Sequence, residues 1–147
     1  MEDAIFDCPA EWEPWISPQT RRLRETWELS RQKWGILLMF PETIQAVRRI
    51  PFSCECLVVR GDCPSKSLLS VQAKHIITYG LSPRDSLTLS SLQEPLLCVQ
   101  RSLLRPDGSI IEPQELPLWN LPLPAEQMLP VLGLWLLQMP LTGNAFL

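Results

Sequence analysis

Histidine and lysine are scarce in this chain of 147 residues, which contains one histidine, His75, and the lysines Lys33, Lys66 and Lys74. No lysine follows a glycine, so the Gly-Lys step of a nucleotide-binding phosphate loop is missing. A nucleophile that needs a histidine base has His75 as its single candidate, and the sequence contains no Gly-x-Ser-x-Gly motif. The sequence therefore predicts no catalytic residues.

An excess of positive charge is also missing. The formal net charge at pH 7 is -3, and the one basic cluster, residues 21–24, is followed by Glu25 and Glu28. Proteins that bind nucleic acids carry a basic face, so we expect no nucleic-acid partner. The cluster instead predicts an exposed helix face with an ion pair between Arg24 and Glu28.

Long hydrophobic runs and an export signal are absent as well. The longest apolar stretch, 128–139, is too short to span a bilayer and contains Pro130 and Gly133. The first residues are acidic, unlike the basic start of a signal peptide. The five cysteines have no regular spacing. We expect a cytoplasmic protein with reduced thiols and no membrane contact.

Proline and tryptophan, in contrast, are abundant, with 15 and 6 residues. The prolines predict short helices and strands. Residues 1–17 show no hydrophobic period, and we predict an extended N-terminal arm there. Trp12 and Trp15 of this arm would dock on the chain's own domain, which we favour, or on a partner.

Residues 18–147 are predicted to form a single α/β domain. Ser17 and Pro18 carry the signals of a helix start, and this helix is expected to end at Gly35. Strands are expected at 36–40, 54–60 and 75–79, with helices at 41–50 and 66–74 between them. Alternating helices and strands predict a parallel sheet with helices on both faces, in three layers.

The pattern changes after Leu92. The segments 96–104 and 110–118 flank a turn sequence, Arg-Pro-Asp-Gly, which predicts an antiparallel hairpin. Pro113 and Pro117 predict that its second strand lies at a sheet edge. A last helix, apolar on nearly every side and therefore buried, is expected from Pro124 to Met139.

Two sequence motifs carry a family resemblance. Residues 57–64 read LVVRGDCP, and residues 76–82, within the strand–turn–strand segment 75–92, read IITYGLS. Their order resembles the second half of the central, ATP-binding domain of the Mur ligases, which join amino acids to the UDP-muramoyl precursor of peptidoglycan. In that family a strand ending in an Asn-Ala-Asp-Asp-type turn leads through a short helix to a strand similar to Val-Ile-Thr-Tyr-Gly. The resemblance covers 57–139 and implies a bacterial protein with that α/β fold.

The departures from the family concern its chemistry. The family binds ATP through a glycine-rich loop that ends in lysine, and this loop is absent here. The Asn-Ala-Asp-Asp turn retains Asp62 alone, and residues 119–122 replace a Gly-His-Asn segment. The resemblance therefore implies a truncated relative that has the fold and none of the ligase activity, with no cofactor.

Cys54, Cys56, Cys63 and His75 offer three sulfurs and an imidazole for a metal site, and the first two thiols are expected on one face of a strand. Small cysteines are also common in buried strands, and we favour that interpretation. The sequence thus predicts no metal ligands.

A ligand cleft is predicted at the end of two strands. Asp62 lies in the turn that ends one strand, and the turn 80–85 follows the next, at the edge where α/β sheets bind ligands. The candidate binding residues are Asp62, Tyr79, Ser82 and Arg84. As an alternative, Asp62 caps its own turn.

Three functions remain open from the sequence. The first is a non-catalytic, Mur-ligase-like binding or interaction module. The second is a small-ligand binder for a nucleotide or a UDP-sugar. The third is an oligomeric subunit that contacts a second copy or a partner through Trp12, Trp15 and the helix 128–139.

Overall fold

The computed structural model describes residues 1–69, 71–90 and 94–138. The strands are β1 (Ala4–Phe6), β2 (Arg21–Leu23), β3 (Trp34–Leu38), β4 (Ser53–Arg60), β5 (Gln72–Tyr79), β6 (Leu87–Leu89), β7 (Leu96–Val99), β8 (Leu103–Leu104), β9 (Ile110–Ile111) and β10 (Gln114–Pro117). The α-helices are α1 (Thr26–Leu29), α2 (Pro41–Ala46), α3 (Ser65–Leu68) and α4 (Ala125–Gln138), and a 3₁₀ helix spans Ala10–Trp15.

Eight of the strands form one mixed sheet, in the order β10-β7-β6-β5-β4-β3-β1-β2. The six strands from β6 to β2 in this order run parallel, whereas β7 and β10 are antiparallel to their neighbours. β8 and β9 form a separate antiparallel pair. The predicted α/β class with a parallel core and an antiparallel C-terminal extension is confirmed.

Each face of the sheet carries its own apolar cluster. The first cluster contains Trp12 of the 3₁₀ helix, Val58 of β4 and most of α4. The second contains Leu57 of β4 together with Ile44 of α2 and Leu29 of α1. Because neighbouring residues of the central strands point to opposite faces and both faces are covered, these strands are apolar along most of their length. The result is the predicted three-layer arrangement.

The predicted N-terminal arm over 1–17 is wrong. Ala4–Phe6 is a strand inside the sheet, hydrogen-bonded in parallel to β2 on one side and β3 on the other. All three residues are buried. Three apolar residues among acidic ones produce no detectable period, so a strand this short is invisible to pattern analysis.

The helix predicted from Ser17 to Gly35 is also wrong. The hydroxyl of Ser17 accepts the amide of Gln19 at 3.2 Å, and its carbonyl accepts the amide of Thr20 at 3.0 Å. Ser17 therefore stabilises a turn and not a helix start. After this turn the chain forms β2, the single turn of α1, and then β3.

The ion pair predicted between Arg24 and Glu28 is replaced by a helix cap. Oε1 of Glu28 accepts the backbone amides of Arg24 at 3.2 Å and of Glu25 at 3.0 Å. Together with the side chain of Glu25 this forms a capping box at the start of α1.

The predicted core strands are confirmed with shifted ends. β3, β4 and β5 lie side by side in parallel, and β3 begins at Trp34. The helix predicted over 41–50 ends as α2 at Ala46, and the one predicted over 66–74 is limited to α3 because residues 72–74 pair with β4.

The C-terminal predictions are confirmed. β7 pairs with β10 and β8 with β9, and β10, which contains Pro117, lies at one edge of the sheet. α4 begins directly after Pro124 and is buried along most of its length. Its predicted last residue, Met139, lies outside the described residues. Within the described ranges, none of the helices combines the length and apolar character needed to cross a membrane.

Candidate functional site

A cleft of about 450 Å³ lies outside the carboxyl ends of β4 and β5, the edge at which open α/β sheets bind ligands. Three parts of the chain meet there: the end of β4, the end of β5 with its following loop, and the first turns of α4. The lining residues are Arg60, Gly61, Asp62, Tyr79, Gly80, Leu81, Ser82, Asp85, Glu126 and Leu129.

Asp85 is the deeply buried acid of the cleft, with 4% of its surface exposed. Its Oδ2 accepts the backbone amide of Ser82 at 3.1 Å. A Cβ atom on Gly61 would overlap with Oδ1 of Asp85, and one on Gly80 would lie 2.5 Å from Oδ2. The carboxylate therefore occupies the space that two missing side chains leave at the ends of adjacent strands.

The loop that carries Asp85 is held by neighbouring elements. Nε2 of Gln100 donates to the carbonyl of Asp85 at 2.6 Å, and the guanidinium of Arg101 donates to the carbonyl of Arg84 at 2.6 Å. The amide of Ser86 donates to the hydroxyl of Thr78 at 3.1 Å. The segment after β7 thus fixes the loop after β5, and the carboxylate is positioned in advance of any ligand.

Arg60 and Asp62 at the mouth of the cleft bind each other. Nε of Arg60 donates to Oδ1 of Asp62 at 2.7 Å, and its second nitrogen donates to Glu42 at 2.9 Å. The hydrogen bond to Asp62, followed by that to Glu42, raises the pKa of Arg60 above its usual value. Asp62 thus binds a side chain, and among the described residues no backbone amide donates to its carboxylate, as a turn cap would require. The guanidinium of Arg60 is therefore already paired with two carboxylates, those of Asp62 and Glu42.

The charged side chains that line the cleft therefore carry a net negative charge. Asp62, Asp85 and Glu126 supply three carboxylates and Arg60 supplies one guanidinium. Among the described residues, the backbone amide of Ser82 is the one donor to the carboxylate of Asp85. Phosphate groups would meet repulsion from the uncompensated charge.

Apolar and neutral groups form the remaining walls. Tyr79 is 5% exposed, and burial raises the pKa of its phenol to about 12, so the ring carries no charge at neutral pH. Leu129 of α4 is buried, and Leu81 is exposed at the rim. The cleft therefore combines an apolar body with a few convergent polar groups, as binding sites for small molecules do.

Three of the four residues predicted to bind a ligand lie together. Asp62, Tyr79 and Ser82 line the cleft, whereas Arg84 does not and is exposed on the loop. Sequence reasoning missed Asp85, which is the most buried of the acids. A signal for it exists, because a glycine follows each of the two strands at their carboxyl ends.

A second crevice in which this sheet topology could bind a ligand, between β1 and β3, is filled by a side chain. The strand order changes direction between β1 and β3, and α/β sheets often bind ligands at such a switch point. Here Trp12 is 7% exposed and its ring lies 5.7 Å from that of Phe40, which follows β3 by two residues. The tryptophan closes this crevice, and the open cleft lies at β4 and β5.

A larger groove of about 930 Å³ lies at the amino ends of β1 and β2, beside the last turns of α4. Its polar groups already bind one another. Nε1 of Trp135 donates to the carbonyl of Trp15 at 2.7 Å, and Nε2 of Gln138 donates to Asp3 and to Thr20, both at 2.9 Å. These contacts attach the N-terminal segment to α4, which is a structural role.

The cysteines do not assemble as the metal-site hypothesis required. Cys54 packs in the cluster with α2 and Cys56 in the cluster with α4, so their expected position on one face is wrong. In the described part of the chain, no three histidine, cysteine or acidic residues have the geometry of a metal site. Burial raises the pKa of Cys54 to about 12 and of Cys56 to about 11, so both remain protonated thiols.

The residues predicted for a protein interface are largely used inside the chain. Trp12 is buried, and α4 contributes most of its apolar side chains to the cluster below it. Trp15 is 38% exposed. The helix face that the sequence suggested for a partner is therefore occupied by the chain's own sheet.

Comparison of the chain with protein-family models, with curated proteins and with solved structures finds no match. The residues of the cleft and their geometry are therefore the basis for a functional proposal.

Proposed function

We propose that this protein is a non-catalytic binding module that takes a small ligand in the cleft outside β4 and β5. One observation carries the proposal: a preformed cleft of about 450 Å³ holds a buried carboxylate, Asp85, at the edge where α/β sheets bind ligands. Its volume is in the range of pockets for small molecules, roughly 300–1,000 Å³.

The absence of catalysis in this proposal is supported by the location of the reactive side chains. Cys54 and Cys56 lie in the first half of β4 and His75 lies in the middle of β5, whereas the cleft begins at the last residues of these strands, Arg60 and Tyr79. Four residues along a strand correspond to about 13 Å, so His75 is out of hydrogen-bonding reach of the cleft. The buried thiols, with their raised pKa values, are poor nucleophiles.

We also propose descent from the central domain of the Mur ligases. The support is the pair of motifs LVVRGDCP and IITYGLS, which end at Pro64 and Ser82. Both motifs run through adjacent parallel strands into loops that border the same cleft, as expected for two parts of one ancestral site. A cytoplasmic location, predicted from the sequence, is consistent with this proposal.

The charge of the cleft narrows the choice of ligand. A nucleotide or a UDP-sugar, the sequence-based candidates, would bring phosphates to a site with an excess of carboxylates. Arg60, the lining cation, is bound by Asp62 and Glu42. The proposed ligand is therefore a small molecule without phosphate groups.

A fragment screen tests the proposal. Compounds that raise the melting temperature of the wild-type protein are titrated against Leu81→Ala, which removes a side chain from the cleft wall. We expect this variant to bind the hits about 5-fold more weakly because it buries less apolar area. The matched control is Leu69→Ala, a substitution at an exposed leucine outside the cleft.

Two results would overturn the proposal. The first is a screen in which every hit binds Leu81→Ala and Leu69→Ala with equal affinity, since the ligand would then lie elsewhere. The second is hydrolysis of ATP by the purified protein, which would contradict the non-catalytic role.

A further inference from the structure

The buried carboxylate of Asp85 has few hydrogen-bond donors around it. It is 4% exposed, yet the described residues give it a single hydrogen bond, from the backbone amide of Ser82 to Oδ2. Oδ1 lies against the Cα of Gly61. A buried carboxylate is stable when a cation or several donors accompany it, so this one has unused capacity to bind a donor.

The positive charge of the lining, that of Arg60, does not pair with Asp85. The guanidinium of Arg60 is held at 2.7 Å from Asp62 and 2.9 Å from Glu42. Glu126, on the first turn of α4, adds another exposed carboxylate to the same opening. A positive group that entered the cleft would thus meet a lining with three carboxylates, those of Asp62, Asp85 and Glu126, of which that of Asp85 is buried.

We propose that the ligand of this cleft is a small organic cation, an ammonium or guanidinium group on a short apolar body. The inference rests on the proposed binding function and names its ligand class. The cationic group donates to Oδ1 of Asp85, and the apolar body lies between Leu81 and Leu129. Tyr79, which is 5% exposed, belongs to the same lining.

The apolar walls distinguish this ligand from a bare metal ion. A hard divalent cation requires about six oxygen ligands in a compact shell. The described residues form no such group around Asp85. An organic cation needs one or two carboxylates and a surface for its carbon atoms, which are the features present.

Three probes that share an isobutyl body and differ in the charge of their polar group test the preference for a cation. They are 3-methylbutylamine, which is a cation at pH 7, 3-methylbutanol, which is neutral, and 3-methylbutanoate, which is an anion. Each is titrated into the ¹⁵N-labelled full chain, and binding is followed by the amide signals of Gly61, Gly80 and Ser82. We expect the amine to bind about tenfold more tightly than the alcohol, and the carboxylate more weakly than both.

Asp85→Asn tests the assigned carboxylate. This substitution retains the shape of the side chain and removes its charge, so the preference for the amine over the alcohol should fall to about 2-fold or less. Asp107→Asn is the matched control, because Asp107 is exposed in the distant hairpin turn and bonds to Ser109. It should leave the preference unchanged. Should Asp85→Asn fail to fold, Glu126→Gln at the exposed mouth should reduce the preference about 2-fold.

The outcomes separate the inference from the proposed function. Equal affinity of amine and alcohol at the cleft would overturn the cationic ligand, while fragment hits that depend on Leu81 would still support the binding function. Tighter binding of the carboxylate probe would overturn the inference as well. So would amine titration to about 50 mM without a shift of the three amide signals, since a Kd above that concentration corresponds to a binding free energy weaker than about −2 kcal/mol.

Discussion

At the scale of single residues, the cleft depends on two glycines and one aspartate. Gly61 and Gly80 end the two strands, and the carboxylate of Asp85 lies where their side chains would be. The absence of a Cβ at Gly61 is needed for close approach and not for backbone freedom. The contact between these three residues determines the position of the carboxylate in the proposed site.

A double-mutant cycle tests this contact. Gly61→Ala should lower the free energy of unfolding by about 2 kcal/mol, because the new Cβ overlaps with Oδ1 of Asp85. In an Asp85→Ala background the same change should cost less than about 1 kcal/mol, since the overlap is removed. Urea unfolding followed by tryptophan fluorescence gives the four values. An equal cost in both backgrounds would show that the two residues do not meet.

The sequence predicted some residues of the cleft and missed its buried acid. Asp62 and Tyr79 were found because Asp62 lies in the turn after β4 and Tyr79 ends β5, and the order of these strands can be deduced from alternating segments. Asp85 was missed because its burial depends on Gly61, more than twenty residues earlier, as well as on Gly80. Such a contact between loops of adjacent strands leaves no local pattern.

At the scale of secondary-structure elements, long buried segments were predictable and short ones were not. β3 and α4 consist largely of apolar residues, β4 ends in an apolar run, and Pro117 indicated the edge position of β10. β1 and β2 contain three residues each, and the pairing of β1 with β2 on one side and with β3 on the other determines their conformation. Tertiary contacts therefore override the local helix signals around Ser17.

Removal of residues 2–9 tests the revised role of the N-terminus. This deletion takes away β1, which lies between β2 and β3 and has three buried residues. We expect a chain that does not fold cooperatively, as judged by the loss of a sigmoidal urea transition in far-ultraviolet circular dichroism. An unchanged transition would mean that the segment is a dispensable arm.

A substitution at Trp12 tests whether this side chain fills the crevice between β1 and β3. Trp12→Ala should destabilise the protein by about 3–5 kcal/mol, because it removes a ring that is 7% exposed and packs on Phe40. Trp27→Ala is the matched control at a tryptophan that is 58% exposed, and it should cost less than about 1 kcal/mol. Similar costs for both variants in urea unfolding would contradict the assigned packing.

At the scale of the whole molecule, two apolar clusters share one sheet and bury several thiols. Burial raises the pKa of Cys8 and Cys56 to about 11 and that of Cys54 to about 12, from 9.0. In the unfolded chain these thiols ionise around pH 9, whereas the folded chain retains their protons. Their contribution to stability is therefore complete below pH 9 and is lost as the pH rises toward 11–12.

The alkaline side of the stability profile should show this effect. The urea midpoint should fall as the pH is raised from about 8 to 10.5, and the fall should be smaller in Cys54→Ala, which lacks the thiol with the most strongly raised pKa. The comparison uses the change in each protein relative to its own value at pH 7. Parallel profiles for the variant and the wild type would contradict the assigned burial of Cys54.

The central claim is that the cleft beside Asp85 binds a small cation, and a crystal structure with 3-methylbutylamine tests it most directly. The account predicts electron density in the cleft between Leu81 and Leu129, with the ammonium nitrogen about 3 Å from Oδ1 of Asp85. Density confined to the groove beside Trp135, with an empty cleft, would contradict it.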